Sequence, residues 1–432
     1  MRRESIKHLS LLGVVAAASI LTGCASGLKH TKLEMAVSSK TAGYSAEEAG
    51  SPTSLISRND TLIIASTKGI TMLKSVNKLW FHELPEAPVR KVSFDRGYIA
   101  WSSYAYEGSD KAGFWSSAIF NAASVPNYKD SKLGLIDLSG NEKWTVNAQS
   151  TETAISAPAI SSSSVAVSRG LDMEIYDIND GHFIAKQDIM NASFMSKLYG
   201  KYVRNGLPLS PAAYQDGYYA GSLFEMNQID QTGKKLKHKN GFGLLSTFGR
   251  ISAGPIVYKD NLYFATENTS NSEPPDRYGV VESVSPEKFK ENFGKKYKKD
   301  KKSGFGAITA GGDKIFVATN TDLIAFSLKG KQLWAISGGQ ALYCSQARGL
   351  RYGNSWPFGY RTTTGNLILA DEKHVYLSSP TSKEGIEAIT VLSADKGEYV
   401  RSIEMKGRLL DMALIENQIA AITSEGLVYI DR

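Results

Sequence analysis

Cysteine is nearly missing: Cys24 and Cys344 are the only two in 432 residues. That is too few for the disulfide framework of small secreted domains, so packing must supply the stability. Histidine is almost as scarce, and His8, His30, His82, His182, His238 and His374 fall in no spacing that holds zinc. There is no Gly-x-Ser-x-Gly elbow, no phosphate-cradling glycine loop and no Cys-His pairing of the catalytic kind. The apolar stretch from Leu11 to Ile20 is too short to span a bilayer, which takes a helix of ~20 residues. Charge of one sign is weakly in excess, with 50 basic against 43 acidic residues. Without clustered Lys and Arg interleaved with stacking aromatics, that excess does not predict nucleic acid. These absences leave no candidate catalytic residue, metal ligand or cofactor.

What the chain does have is a repeat. A five-residue ending recurs as Val76-Asn-Lys-Leu-Trp80, Gly140-Asn-Glu-Lys-Trp144, Gly181-His-Phe-Ile-Ala185, Gly233-Lys-Lys-Leu-Lys237, Gly330-Lys-Gln-Leu-Trp334 and Gly397-Glu-Tyr-Val-Arg401. Each copy follows an apolar β-type run, so the unit is strand, tight turn, strand. A period of roughly 40 to 50 residues predicts an all-β propeller of four-stranded antiparallel blades. Seven units fall near Leu62 to Phe81, Tyr98 to Val146, Ala159 to Gln187, Tyr218 to Lys239, Leu262 to Phe289, residues 304 to 337 and Val375 to Ile403. Three further strands close the chain, at Leu410 to Leu414, Gln418 to Ile422 and Gly426 to Asp431. An unfinished blade would leave an open edge. The segment Lys32 to Val37 is apolar enough to supply the missing strand, so the expectation is eight blades closed by an N-terminal strand, with seven as the alternative.

The turn glycine and the terminal tryptophan have structural explanations. Glycine accepts the positive φ of a tight turn. Trp80, Trp144 and Trp334 are expected to pack between adjacent blades, each burying area worth a few kcal/mol.

The first residues address location. Arg2, Arg3 and Lys7 precede the apolar stretch, and Leu21-Thr22-Gly23-Cys24 ends it. This resembles the signal and lipobox of bacterial lipoproteins, which implies removal of residues 1–23, acylation of Cys24 and a membrane anchor. Loss of that segment lowers the net charge from +7 to +5, because three basic residues and Glu4 leave with it. Cys344 then has no partner in the chain and is expected to be a small buried residue. Ala25, where an inner-membrane retention signal would place Asp, implies an outer-membrane protein facing the periplasm. The domain expectation is a tether with a ring-closing strand at 24–52, followed by the propeller at 53–432.

The units, in loose form Ala/Ser-x-Asp/Leu-x-x-Gly-x-x-x-Trp, are similar to the tryptophan-docking repeats of quinoprotein-type (PQQ-like) propellers, although Trp stands at only three of the six endings. A lipobox followed by one such domain resembles the BamB-type lipoproteins of the outer-membrane β-barrel assembly machinery. That resemblance implies a non-catalytic scaffold with envelope partners, among them the barrel assembly subunit. Two other readings stay open: an envelope adaptor that binds polysaccharide or a secretion complex, and a PQQ-dependent dehydrogenase. Against the last, the adjacent cysteine pair of such enzymes has no counterpart here.

Binding residues of propellers lie in loops that the blades position. The largest insertion, Tyr104 to Asp130, carries Tyr104, Tyr106, Phe114, Trp115, Phe120 and Tyr128; a second, Gly338 to Gly365, carries Tyr343, Arg351, Tyr352, Trp356, Phe358, Tyr360 and Arg361. Aromatics with arginine suit a protein interface or a sugar-stacking surface. A plug folded over the central funnel is the alternative. Three other segments read as surface: Asn268 to Tyr278 as a stiff loop around Pro274-Pro275, Gly294 to Lys302 with six lysines as a solvated loop, and Thr41 to Thr53 as plain connection.

Overall fold

The computed structural model describes residues 33–35, 43–75, 77–84, 87–111, 124–149, 155–169, 172–189, 210–221, 225–240, 249–268, 278–285, 290–298, 305–319, 322–337, 368–381 and 383–432. Cys24, Cys344, Phe114, Trp115, Arg351, Tyr352, Trp356, Phe358 and Tyr360 lie outside these residues. The described strands form eight sheets, each built on a meander in which the first strand is innermost and the others follow outward, antiparallel, one sheet carrying an added parallel strand at its outer edge. The chain is an eight-bladed β-propeller.

Blade 1 takes Pro52–Arg58, Thr61–Ser66, Gly69–Lys74 and Asn77–Glu83; blade 2 takes Val89–Asp95, Tyr98–Lys111, Ser124–Asp137 and Glu142–Asn147. Blade 3 runs Ala159–Ile160, Ser164–Arg169, Asp172–Asp177 and Phe183–Asp188, and blade 4 Ala212–Tyr214, Gly217–Gly221, Glu225–Asp230 and Lys235–Asn240. Blade 5 is Gly249–Tyr258, Asn261–Asn268, Tyr278–Ser285 and Lys290–Lys298, and blade 6 is Phe305–Gly311, Lys314–Thr319, Asp322–Ser327 and Gln332–Ser337. Blade 7 has Ile368–Ala370, His374–Pro380, Ile386–Ser393 and Tyr399–Lys406; blade 8 has Leu409–Ile415, Gln418–Thr423 and Gly426–Asp431.

Alternation along the strands sends apolar side chains to both faces, and each face meets the next blade. The result is one apolar cluster per interface rather than a single core. Val89, Ile99 and Trp101 of blade 2 pack on Ile63 and Ile70 of blade 1; the same arrangement recurs around the ring to blades 7 and 8, where Tyr376 and Ile403 meet Met412 and Ile419. The ring closes where Leu55, Leu62 and Ile64 of blade 1 meet Ala413, Ile422, Leu427 and Tyr429 of blade 8.

The recurring ending has a geometric reason. The Trp80 indole N–H donates to the Leu138 carbonyl of blade 2 at 3.0 Å, Trp144 to Ile178 of blade 3 at 3.0 Å, and Trp334 to Ala394 of blade 7 at 3.0 Å. Each ring lies against the turn glycine of that next blade: Gly140, Gly181 and Gly397 respectively. A Cβ added at Gly181 would sit 2.6 Å from the Trp144 ring, and φ there is 74°. Glycine is therefore required twice, by backbone conformation and by the close approach of the indole. The aspartate ending the third strand holds the turn from below, since Asp137 Oδ1 accepts the Ser139 and Asn141 N–H groups at 2.9 and 3.0 Å. The fifth blade has neither signal in its sequence; its register places Phe293 opposite Ser283, at the position of the tryptophan.

Several expectations need correction. The N-terminal strand forms, at Leu33–Met35, but it pairs in parallel with the outer strand of blade 7, Leu33 opposite Ser402 and Met35 opposite Glu404. Blade 8 keeps three strands among the described residues. Its edge is fastened otherwise. The Arg401 guanidinium donates to the Asp431 carbonyl, the Arg432 N–H donates to Asn417 O at 2.7 Å, and Arg432 Nη1 donates to Asp371 Oδ2 at 3.0 Å. Tyr429 also puts an aromatic ring at the third-strand position whose cross-strand partner is tryptophan in blades 1, 2 and 6. Consistent with that, the sequence has Val76 where the other recurring endings have glycine, and blade 8 has no tryptophan ending to meet it. The segment 41–53 is more than a connection: Ala46–Ala49 is a helical turn capped by Ser45, Ala49 is buried, and the Tyr44 hydroxyl donates to Gly50 O at 2.6 Å. The lysine run is not a loop over its first half, because Gly294 to Lys298 belong to the outer strand of blade 5. Lysines on such an edge discourage pairing with other chains.

Asp371 ties the chain end to blade 7. Burial opposes ionisation of its carboxyl, but the His374 N–H, the Tyr376 hydroxyl, the Lys373 N–H and the Arg432 charge outweigh it and hold the group below the usual carboxylate range. A depressed carboxylate contributes stability above its unfolded pKa and loses it as pH falls through the folded value. Asp371→Asn should therefore cost about 1 kcal/mol at neutral pH, with the gap to wild type shrinking in acid below about pH 4. Urea titrations at pH 7 and pH 3.5 measure both.

Candidate functional site

Antiparallel meanders give the ring two unlike faces. Turns between first and second strands, and between third and fourth, open on one face and are short, as at Asn59–Asp60 and Arg96–Gly97. Connections between second and third strands, and from blade to blade, open on the other. Every long insertion leaves and rejoins the described strands on that second, loop-bearing face, residues 338–367 included.

The first aromatic insertion is largely a β-hairpin. The second and third strands of blade 2 continue past the sheet as a ribbon, pairing Tyr106 with Tyr128 and Lys111 with Ser124. The sequence reads as a loop because Gly108 and the Ser-Asp pair break the alternation. The base of the arm is packed: Tyr104, Tyr128, Ala148 and Ile155 form a buried cluster, with the Tyr104 and Tyr128 rings edge-on at 5.1 Å. Arg90 lies 5.5 Å from the Tyr104 ring centroid, and its Nε donates to Tyr104 O at 3.1 Å. Burial raises the Tyr104 hydroxyl pKa to about 12. Tyr104 is 4% exposed, so its expected role as a partner contact is corrected: it anchors the arm. Among the described residues of the arm, Tyr106, 58% exposed, is the aromatic presented to solvent, braced by Tyr128 at 6.2 Å and by the Lys129–Glu107 ion pair at 2.9 Å. The structure does not describe the tip, where Phe114 and Trp115 fall, or the segment with Arg351, Tyr352, Trp356, Phe358 and Tyr360.

A polar group unforeseen in the sequence lies beneath the same face, between blades 2 and 3. Arg169 Nε and Nη2 each meet Glu174 Oε1 at 2.8 Å, and Glu174 Oε2 accepts from the Tyr176 hydroxyl at 2.7 Å and the Gln149 N–H at 3.3 Å. Glu174 is fully buried. Its signal was a glutamate two residues before Tyr176, on the side of the strand opposite Met173 and Ile175. On the opposite face, Asp177, Asp180 and His182 place ligand atoms within 4.8 Å of one another. They are turn residues already engaged, Asp177 Oδ1 accepting the Asn179 N–H at 2.7 Å and Asp180 pairing with His182 at 2.8 Å.

No protein-family model matches the chain, and no curated protein does either. Solved structures do match. The crystal structure of BamB from Moraxella catarrhalis is similar at a TM-score of 0.55 and 16% identity, over 92% of this chain and 98% of that one. The C-terminal WD40 domain of Sif2 is similar at 0.58 and 8% identity, over 93% and 99%, and Saccharomyces cerevisiae Sqt1 at 0.54 and 8%, over 94% and 100%. The likeness is one of fold. At these identities it extends to propellers of unrelated names and shows nothing finer.

Proposed function

We propose that the chain is a non-catalytic scaffold of the bacterial envelope, anchored through lipid on Cys24 to the outer membrane, facing the periplasm, and binding a protein partner with its loop-bearing face. The observation that carries this reading is the arm of blade 2, a braced ribbon that presents Tyr106 on the face to which all long insertions return. Rigid positioning of an exposed aromatic is what a protein interface uses. The specific role is BamB-like, in assembly of outer-membrane β-barrels. Its support is the lipobox resemblance of Leu21 to Cys24 together with a fold shared with BamB over nearly both chains. The donors near the channel favour a scaffold over a quinone enzyme, since the Asp411 carboxylate there is already engaged by protein N–H and O–H groups.

The test is purification through a C-terminal tag after crosslinking in cells, followed by mass spectrometry. The barrel assembly subunit is expected to co-purify, and Tyr106→Ala is expected to weaken its recovery about tenfold without changing thermal stability. Recovery of a different envelope complex would replace the BamB-like role. Binding of soluble glycans that is lost on Trp115→Ala or Trp356→Ala would favour the polysaccharide adaptor.

A further inference from the structure

The innermost strands repeat one irregularity. In blades 1, 2, 5, 6 and 8 the pairing register slips near the loop-bearing end, and Ser54, Lys91, Ala253, Ala307 and Asp411 are the first paired residues past the slip. The five positions share one level of the channel wall. Asp411, Ser54 and Lys91 come from three consecutive blades, 8, 1 and 2, while blades 5 and 6 across the ring carry alanine.

The two charged groups differ in how they are satisfied. Asp411 is buried, and its Oδ2 accepts from the Ser54 hydroxyl and the Leu55 N–H, both at 3.1 Å, while Oδ1 accepts the Met412 N–H at 2.9 Å. Lys91 is partly buried and makes no hydrogen bond or ion pair with any described residue. The neighbouring Arg90 does not help, since it is directed to Tyr104. Burial pushes the Lys91 amine down from the usual lysine range, with the Asp411 charge pulling it back up. An ammonium has three donors, and the described surroundings of Lys91 supply an acceptor to none of them.

We propose that Lys91 anchors a carboxylate-binding site in the channel wall near the loop-bearing face. The incoming carboxylate accepts charge-assisted hydrogen bonds from the ammonium, the contact its surroundings omit. The Asp411 charge opposes loss of the Lys91 proton while its own oxygens remain held by Ser54, Leu55 and Met412. The acid group belongs either to a free small carboxylic acid or to an acidic side chain of a partner segment entering the channel.

Calorimetric titration of the full chain with succinate, and separately with the peptide Gly-Glu-Gly, tests this. At least one probe is expected to bind, with affinity reduced at least about tenfold in Lys91→Met and retained in Lys91→Arg. Binding of succinate assigns the site to a free acid; binding of the peptide alone assigns it to a side chain. Binding of neither, or equal binding to Lys91→Met, overturns the proposal. Should Lys91→Met not fold, the lysine side-chain NMR signal of Lys91 decides: a shift on adding a probe supports the site, and no shift with either probe rejects it.

Discussion

Replacing Arg169 with methionine is expected to destabilise the protein by about 3 to 5 kcal/mol, and replacing Glu174 with methionine as well is expected to return most of that loss. The single change leaves the Glu174 carboxylate buried between blades 2 and 3 with only the Tyr176 hydroxyl and the Gln149 N–H as partners. Coulomb attraction to Arg169 offsets a desolvation cost that neither neutral donor can meet. The double change removes both charges, so the desolvation cost disappears together with the attraction. Thermal and urea unfolding of the single and double variants measures the cycle. A single variant as stable as wild type would mean that the pair is solvated.

Trp144→Ala carries the second large effect, about 3 to 5 kcal/mol, the range for truncating a buried tryptophan. Its ring is buried between two blades, against Gly181 and above the Ile178 carbonyl it bonds. Trp80 makes the same contacts from a more open site, so Trp80→Ala should cost distinctly less. Side-chain size is equal in the two cases and burial differs, so the ordering isolates burial. Equal losses at both sites would show that the hydrogen bond rather than the interface sets the stability. Because each blade interface has its own cluster, unfolding of these variants can lose cooperativity, and the transition should be followed with two probes.

The ring was legible because its signals are local. A positive-φ turn, an aspartate before it and an indole four residues after the glycine recur in one short window and mark the blades, whereas the choice of eight over seven leaned on an N-terminal strand that joins blade 7 instead. What was not legible depends on partners remote in sequence. Leu33–Met35 is three apolar-tolerant residues that fit any open edge; only the tertiary structure sets them beside Tyr399–Lys406 rather than Gly426–Asp431. The ties of Arg401 to Asp431 and of Arg432 to Asp371 join residues 30 and 61 positions apart. The arm of blade 2 hid behind glycine and serine, and the lysines of blade 5 look like a loop because charge masks the strand alternation. In the candidate site, aromatic content pointed to the right segment without separating Tyr104, a buried anchor, from Tyr106, an exposed contact. That distinction is a matter of which side of a two-residue period faces the blade.

The central claim is that the loop-bearing face is the one that meets a partner. A photo-crosslinking amino acid placed at Tyr106, and in parallel at Glu416 in an exposed turn of the opposite face, tests it in intact cells. The account predicts a specific protein adduct from position 106 and none from 416. An adduct from 416 with nothing from 106 would contradict it.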